Sequence, residues 1–202
     1  MVCLEPSQAA CQLARQACAP YPDVEIVGTT FEGWELESKQ FDAVLAATSF
    51  HWVAPEIACR KAAAALRDLG SLILLWNVIP QPQFDVYQLL HETYQTLAPS
   101  ITPHADANTQ VENVKIFEQT VSDSGLFRGI ESAQIECQET YSIDDYLALL
   151  STLSPYIHLE SQKRQELFDI SRKVLMQYFG GSIQTSYISA LFVAKKSASI
   201  TT

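Results

Sequence analysis

The run Leu72-Ile73-Leu74-Leu75-Trp76 places apolar side chains on five successive residues, so as a strand it must be covered on both faces. Crossover helices supply such cover in parallel sheets, and the sequence upstream has the right spacing for them. From about Pro55, the residues Ala58, Ala62, Ala65, Leu66 and Leu69 recur with helical period, and Gly70 is the expected helix end. Val2-Cys3-Leu4 is a short apolar run that stops at Glu5 and Pro6-Ser7. Ala9, Ala10, Leu13, Ala14 and Ala17 then share one helical side until Pro20 and Pro22. Residues 24–28 and 43–47 are two further runs of strand length. Strands alternating with helices at this spacing predict right-handed βαβ units and an α/β sheet.

The pattern changes after Asn77. Pro80 and Pro82 break the chain, and Tyr87, Leu90, Tyr94 and Leu97 mark an amphipathic helix. Residues 99–108 lack any period and predict a loop, followed by a helix over about 111–124. Ala133, Ile135 and Cys137 alternate with Gln134, Glu136 and Gln138, the pattern of a half-exposed strand near a sheet edge. Ser142 with Asp145 resembles a capping box, and Ile143, Tyr146, Leu147 and Leu150 give the helix behind it an apolar face. A longer helix is predicted over about 160–179, ended by Gly180-Gly181, and a last strand over 185–194. This C-terminal arrangement predicts an antiparallel finish to a parallel sheet, with residues 1–79 and 80–202 as two halves of one domain.

Composition narrows the function classes. Thirteen Lys and Arg against 23 Asp and Glu give a net charge of −10, which argues against a binder that neutralises nucleic-acid phosphates. The longest apolar stretch, 72–79, falls short of the roughly 18–20 residues of a membrane span, and no basic-then-apolar leader opens the sequence. The five cysteines, at 3, 11, 18, 59 and 137, contain no C-x-x-C pair and form neither a disulfide framework nor a zinc site. The expectation is a cytoplasmic protein with reduced thiols, no membrane partner and no nucleic-acid partner.

In open α/β sheets ligands bind beyond the carboxyl ends of the strands. Those ends read Glu5; then Thr30-Phe31-Glu32; then Thr48-Ser49-Phe50-His51-Trp52; then Trp76-Asn77. An acid in the position of Glu5 can accept both hydroxyls of a ribose, or simply stand favourably near a helix N-terminus. Phe31 suits an adenine face or core packing. His51 suits a general base or a structural hydrogen bond. Trp76 and Asn77 could line the same cleft, or Trp76 could only anchor the sheet. No Ser-His-Asp order, metal-ligand cluster or Lys-bearing phosphate loop is present, so hydrolase and kinase chemistry lack support.

The strings FDAVLAATSFHW, ALRDLGSLILLWN and YLALLSTLSPY resemble class I S-adenosylmethionine-dependent methyltransferases, in particular the type 11/12 small-molecule branch that includes trans-aconitate methyltransferase. The resemblance implies a Rossmann-like sheet with an antiparallel C-terminal strand and a helical lid, S-adenosylmethionine as cofactor and a small-molecule methyl acceptor. It implies Glu5 as the ribose acid, Thr30, Phe31 and Glu32 at the adenine, and Ala46, Thr48, Ser49 and His51 by the methyl donor or acceptor. Trp52, Trp76 and Asn77 would border the acceptor. The family opens with a strand and a Gly-rich turn, whereas this sequence has no G-x-G and begins at what corresponds to the second strand. That departure leaves three expectations: an N-terminally truncated sequence, direct pairing of the strands ending at Glu5 and Ala47, or a strand from a partner, with a homodimer among the partners. Two other classes stay open: a non-catalytic remnant or interaction protein of this fold, and a nicotinamide-dependent Rossmann enzyme whose NAD ribose Glu5 would hold.

Overall fold

Beginning at Met1, strand β1 (Val2–Leu4), helix α1 (Gln8–Cys18) and strand β2 (Glu25–Val27) form a parallel βαβ unit in register Val2↔Glu25 and Leu4↔Val27. The computed structural model describes residues 1–36, 40–101 and 104–198. Ser7 caps α1 by accepting from the Ala10 N–H, and the buried Cys11 donates its thiol to the Glu5 carbonyl at 3.1 Å. The chain then gives β3 (Phe41–Ala47), a 3₁₀ turn (Phe50–Trp52), α2 (Pro55–Ala65) and β4 (Leu66–Asn77). Strands β3 and β4 are parallel, with Val44 opposite Leu72 and Ala46 opposite Leu74.

The chain divides into two compact units. The first comprises Met1–Leu75, Ile116–Ala133 and Leu191–Thr202, and the second Trp76–Lys115 and Gln134–Ala190. Helix α4 (Ala107–Asp123) and strands β6 (Phe127–Ser142) and β7 (Ser182–Lys196) each contribute residues to both.

In the first unit, Leu66, Leu72 and Leu74 are at most 1% exposed, each worth about 1.5–3 kcal/mol of burial. The buried face of α2 is built from Ala58, Cys59, Ala62, Ala63 and Ala65, small side chains that let the helix lie close to β3. Lys196, at the end of β7, is also buried, and its ammonium donates to the Leu66 carbonyl at 2.7 Å. Strands β1 and β2 form a two-stranded sheet of their own, while β3 heads the order β3-β4-β7-β5, with β6 on β7. Among the described residues β1 and β3 therefore do not pair, which removes the expectation that the strands ending at Glu5 and Ala47 join directly.

In the second unit, helices α3 (Phe84–Leu97), α5 (Ile143–Ser151), α6 (Ser154–Ile157) and α7 (Ser161–Phe179) enclose a core that includes Leu90, Tyr94, Ile143, Leu147, Tyr156, Leu167 and Leu175. Helix α7 packs against both α3 and α5. The Ser142 cap forms as expected, its Oγ accepting from the Asp145 N–H at 3.0 Å and donating to Asp145 Oδ2 at 2.6 Å. Gly180 ends α7 at φ 65°, the left-handed conformation that favours glycine. Strand β5 (Gln81–Pro82) pairs antiparallel with β7, with Pro82 opposite Thr185. Proline is tolerated there because β5 ends the strand order, where an N–H is dispensable.

Three boundaries differ from the sequence reading. Helix α2 ends at Ala65, not Gly70, and Leu66 already opens β4. The register jumps from Phe41↔Leu66 to Ala43↔Ser71, so 67–70 bulge out of the ladder. Leu69 is correspondingly 70% exposed at φ 66°, and the bulge is tied back by an ion pair between Arg67 and Asp42. Strand β6 starts at Phe127, well before the alternation that marked it, and its Ile135 is exposed rather than inward. Helix α4 begins at Ala107, inside the expected loop of 99–108, of which 102 and 103 lie outside the described residues.

Candidate functional site

The expected residues of the first unit stand at the ends of its parallel strands. Glu5 follows β1 directly: its N–H continues the ladder to the Val27 carbonyl at 3.1 Å. Its Oε1 accepts from the Ser7 N–H at 2.8 Å. The carboxylate therefore already serves the start of α1, as the bland reading held, with further acceptor capacity in a group of two oxygens.

The loop after β2 is a tight turn. Thr30 Oγ1 accepts from the Gly33 N–H at 3.0 Å, and the Thr30 carbonyl accepts from Trp34 N–H at 3.0 Å. The Thr30 hydroxyl thus closes its own turn. A Cβ at Gly33 would lie 3.3 Å from that hydroxyl, a close contact that the Thr30 side chain would have to relieve. Lys61 Nζ stands 5.8 Å from the Phe31 ring centroid, a cation–π arrangement. Phe31 is half-buried.

Strand β3 ends at Ala47, and Thr48 turns the chain at φ 47°. A positive φ is rare for a β-branched residue, and such strain concentrates where a fold must aim a loop. The Thr48 N–H donates to the Leu75 carbonyl at 2.8 Å, so the turn is tied to β4. Ser49 precedes the 3₁₀ turn, Phe50 anchors it in the core, and His51 and Trp52 lie on its exposed side. The His51 ring lies 4.5 Å from Trp52 and 6.3 Å from Phe117, centroid to centroid. This partial desolvation lowers the His51 pKa below its ordinary value, which favours the neutral imidazole at pH 7.

A cavity of about 540 Å³ in this unit is lined by Val2, Val27, Thr29, Gly33, Trp34, Gln40 and Phe41, among others. None of the expected site residues lines it; its walls come from their chain neighbours. Trp76 and Asn77 are the last residues of β4 and belong to the second unit, where Trp76 is buried at 9% exposure and Asn77 exposed. The second unit has its own polar cavity of about 330 Å³, between Gln83, Glu139, Gln184 and Thr185. Sequence reasoning missed Lys61, whose ammonium donates to the Glu32 carbonyl at 2.9 Å and the Trp34 carbonyl at 2.5 Å. No local spacing marks that role, because its partners are main-chain atoms about thirty residues away.

Residues 1–74 match the family described as "Methyltransferase domain". No match is found among curated protein sequences. Solved structures with a similar fold include a protein of Anaeromyxobacter dehalogenans described as a type II methyltransferase, with TM-score 0.65 and 15% identity over 96% of this chain and 79% of its own. A protein of Bacillus halodurans described as a methyltransferase gives 0.55 and 16%, over 98% and 83%. Phosphoethanolamine N-methyltransferase 2 of Haemonchus contortus, solved with S-adenosylhomocysteine and phosphomonomethylethanolamine, gives 0.50 and 14%, over 98% of this chain but 43% of its own. Residues 1–74 therefore match a methyltransferase-domain sequence, and the chain shares its fold with solved methyltransferases.

Proposed function

We propose that the protein binds S-adenosylmethionine in its first unit and methylates a small-molecule acceptor. The observation that carries this reading is the methyltransferase-domain match of residues 1–74, which spans the strand ends bearing Glu5, Thr30 to Glu32 and Ala46 to Trp52. The donor set suits the adenosine part: a carboxylate at a parallel strand end for a ribose diol, and a partly exposed phenyl ring, Phe31, in the loop that follows the paired strand β2. Bound there, S-adenosylmethionine supplies an activated sulfonium methyl. His51, held neutral by desolvation, accepts the proton of a hydroxyl or amine acceptor at its ring nitrogen. A carboxylate acceptor needs no such base. Trp52, 68% exposed, offers an apolar face to the acceptor.

A second reading, a non-catalytic protein of the same fold, is favoured by one observation: none of the expected site residues lines the first unit's pocket. Calorimetric titration with S-adenosylmethionine and S-adenosylhomocysteine separates the two. One-site heat that Glu5→Ala abolishes supports the cofactor reading. A folded sample that gives no heat up to millimolar ligand supports the second.

A further inference from the structure

We propose that Lys61 is a positioning residue: it clamps the 29–35 loop to helix α2 and so fixes Thr30, Phe31 and Glu32 for the adenosine part of the cofactor. The proposal rests on the cofactor reading above. Two of the three ammonium donors go to main-chain carbonyls of one turn, those of Glu32 and Trp34, at 2.9 and 2.5 Å. The same cation stands 5.8 Å from the Phe31 ring centroid. Hydrogen bonds from a charged donor are stronger than neutral ones, and here they converge on residues the loop itself orients. The loop's internal ties, Gly33 N–H to Thr30 Oγ1 and Trp34 N–H to the Thr30 carbonyl, set its curvature but not its position. Position comes from outside the loop: Trp34 stacks at a tilt on Phe41 of β3, with ring centroids 5.8 Å apart, and Lys61 holds the opposite carbonyls from α2. Removing the ammonium takes away both hydrogen bonds from α2 and leaves the Trp34–Phe41 contact in place.

The test compares the wild type, Lys61→Met and Lys61→Arg by amide hydrogen exchange over peptides covering 29–35, with α2 peptides and the thermal midpoint as controls for folding. The same samples are titrated with S-adenosylhomocysteine. Lys61→Met is expected to exchange about tenfold faster in the loop alone and to bind about tenfold more weakly. Lys61→Arg, which also presents several donors, recovers most of both. Unchanged loop exchange in Lys61→Met overturns the clamp, and faster exchange with unchanged affinity overturns its role in positioning. A wild type that binds no S-adenosylhomocysteine overturns the cofactor reading and the positioning role with it, while the exchange comparison still decides the clamp.

Discussion

Tyr94 of α3 and Tyr156 of α6 are 5% and 6% exposed, and their hydroxyls lie 3.0 Å apart in the core of the second unit. Their rings meet edge to face at 6.4 Å, an arrangement that phenylalanine preserves. Tyr94→Phe takes away one hydroxyl and leaves the other buried without this partner, a cost of about 1–3 kcal/mol. Tyr156→Phe leaves the mirror-image defect and a similar cost. The double variant removes both hydroxyls and keeps both rings, so its cost falls well below the sum and approaches neutrality. Taking about 1.5 kcal/mol for each single variant and a mid-range urea m-value of about 2 kcal/mol/M, each shifts the midpoint down by about 0.75 M. The double variant then lies within about 0.3 M of wild type. Urea titration followed by far-ultraviolet circular dichroism reads all four midpoints. Additive losses, with the double variant about 1.5 M below wild type, would refute the claim that the two hydroxyls satisfy each other.

Other expectations follow from the same geometry. Burial holds Tyr94, Tyr146 and Tyr156 protonated above the ordinary tyrosine range. The unfolded chain loses these protons first, near pH ~10, so stability present below that pH falls as pH rises, by up to about 1.4 kcal/mol per unit for each group; an alkaline urea series whose midpoint stays flat above pH 10 would contradict this. Gly70→Ala places a Cβ 3.0 Å from the Arg67 carbonyl and 3.1 Å from that of Asp42, backbone atoms that cannot step aside, whereas at Gly180 nothing lies within 4 Å and only φ 65° is strained. Thermal midpoints should therefore fall further for Gly70→Ala than for Gly180→Ala, whose cost is about 1–2 kcal/mol; the reverse order would refute the argument. If His51 is the base, the acid limb of the rate profile lies below the usual ~6.5 and disappears in His51→Ala; an unchanged limb in that variant rules His51 out.

How much was legible depended on whether local pattern and tertiary pairing agreed. The run from Leu72 to Trp76 is a strand as its apolar character indicates, but only one of its faces is fully covered. Leu72, Leu74 and Trp76 are buried whereas Leu75 is 39% exposed, so the expectation of cover on both faces does not hold. Gly180 and Ser142 are local signals at helix ends. The end of α2 failed because Leu66, Leu69 and Gly70 continue a helical spacing, while pairing with β3 and the Asp42–Arg67 bridge draw Leu66 into the sheet. Glu5 and His51 were placed at strand ends by the alternation of elements alone. The convergence of Lys61 on two carbonyls could not be read from spacing, since main-chain acceptors leave no residue signature. Nor did the sequence show that β1 and β2 would stand as a separate two-stranded sheet.

The central claim is that the strand ends of the first unit hold the cofactor. Titrating ¹⁵N-labelled protein with S-adenosylhomocysteine and following the backbone amide shifts tests it most directly. The account predicts saturable shifts concentrated at Glu5, at 30–34 and at 46–52, lost together in Glu5→Ala. Shifts confined to residues around Gln83 and Gln184, or none at millimolar ligand, would contradict it.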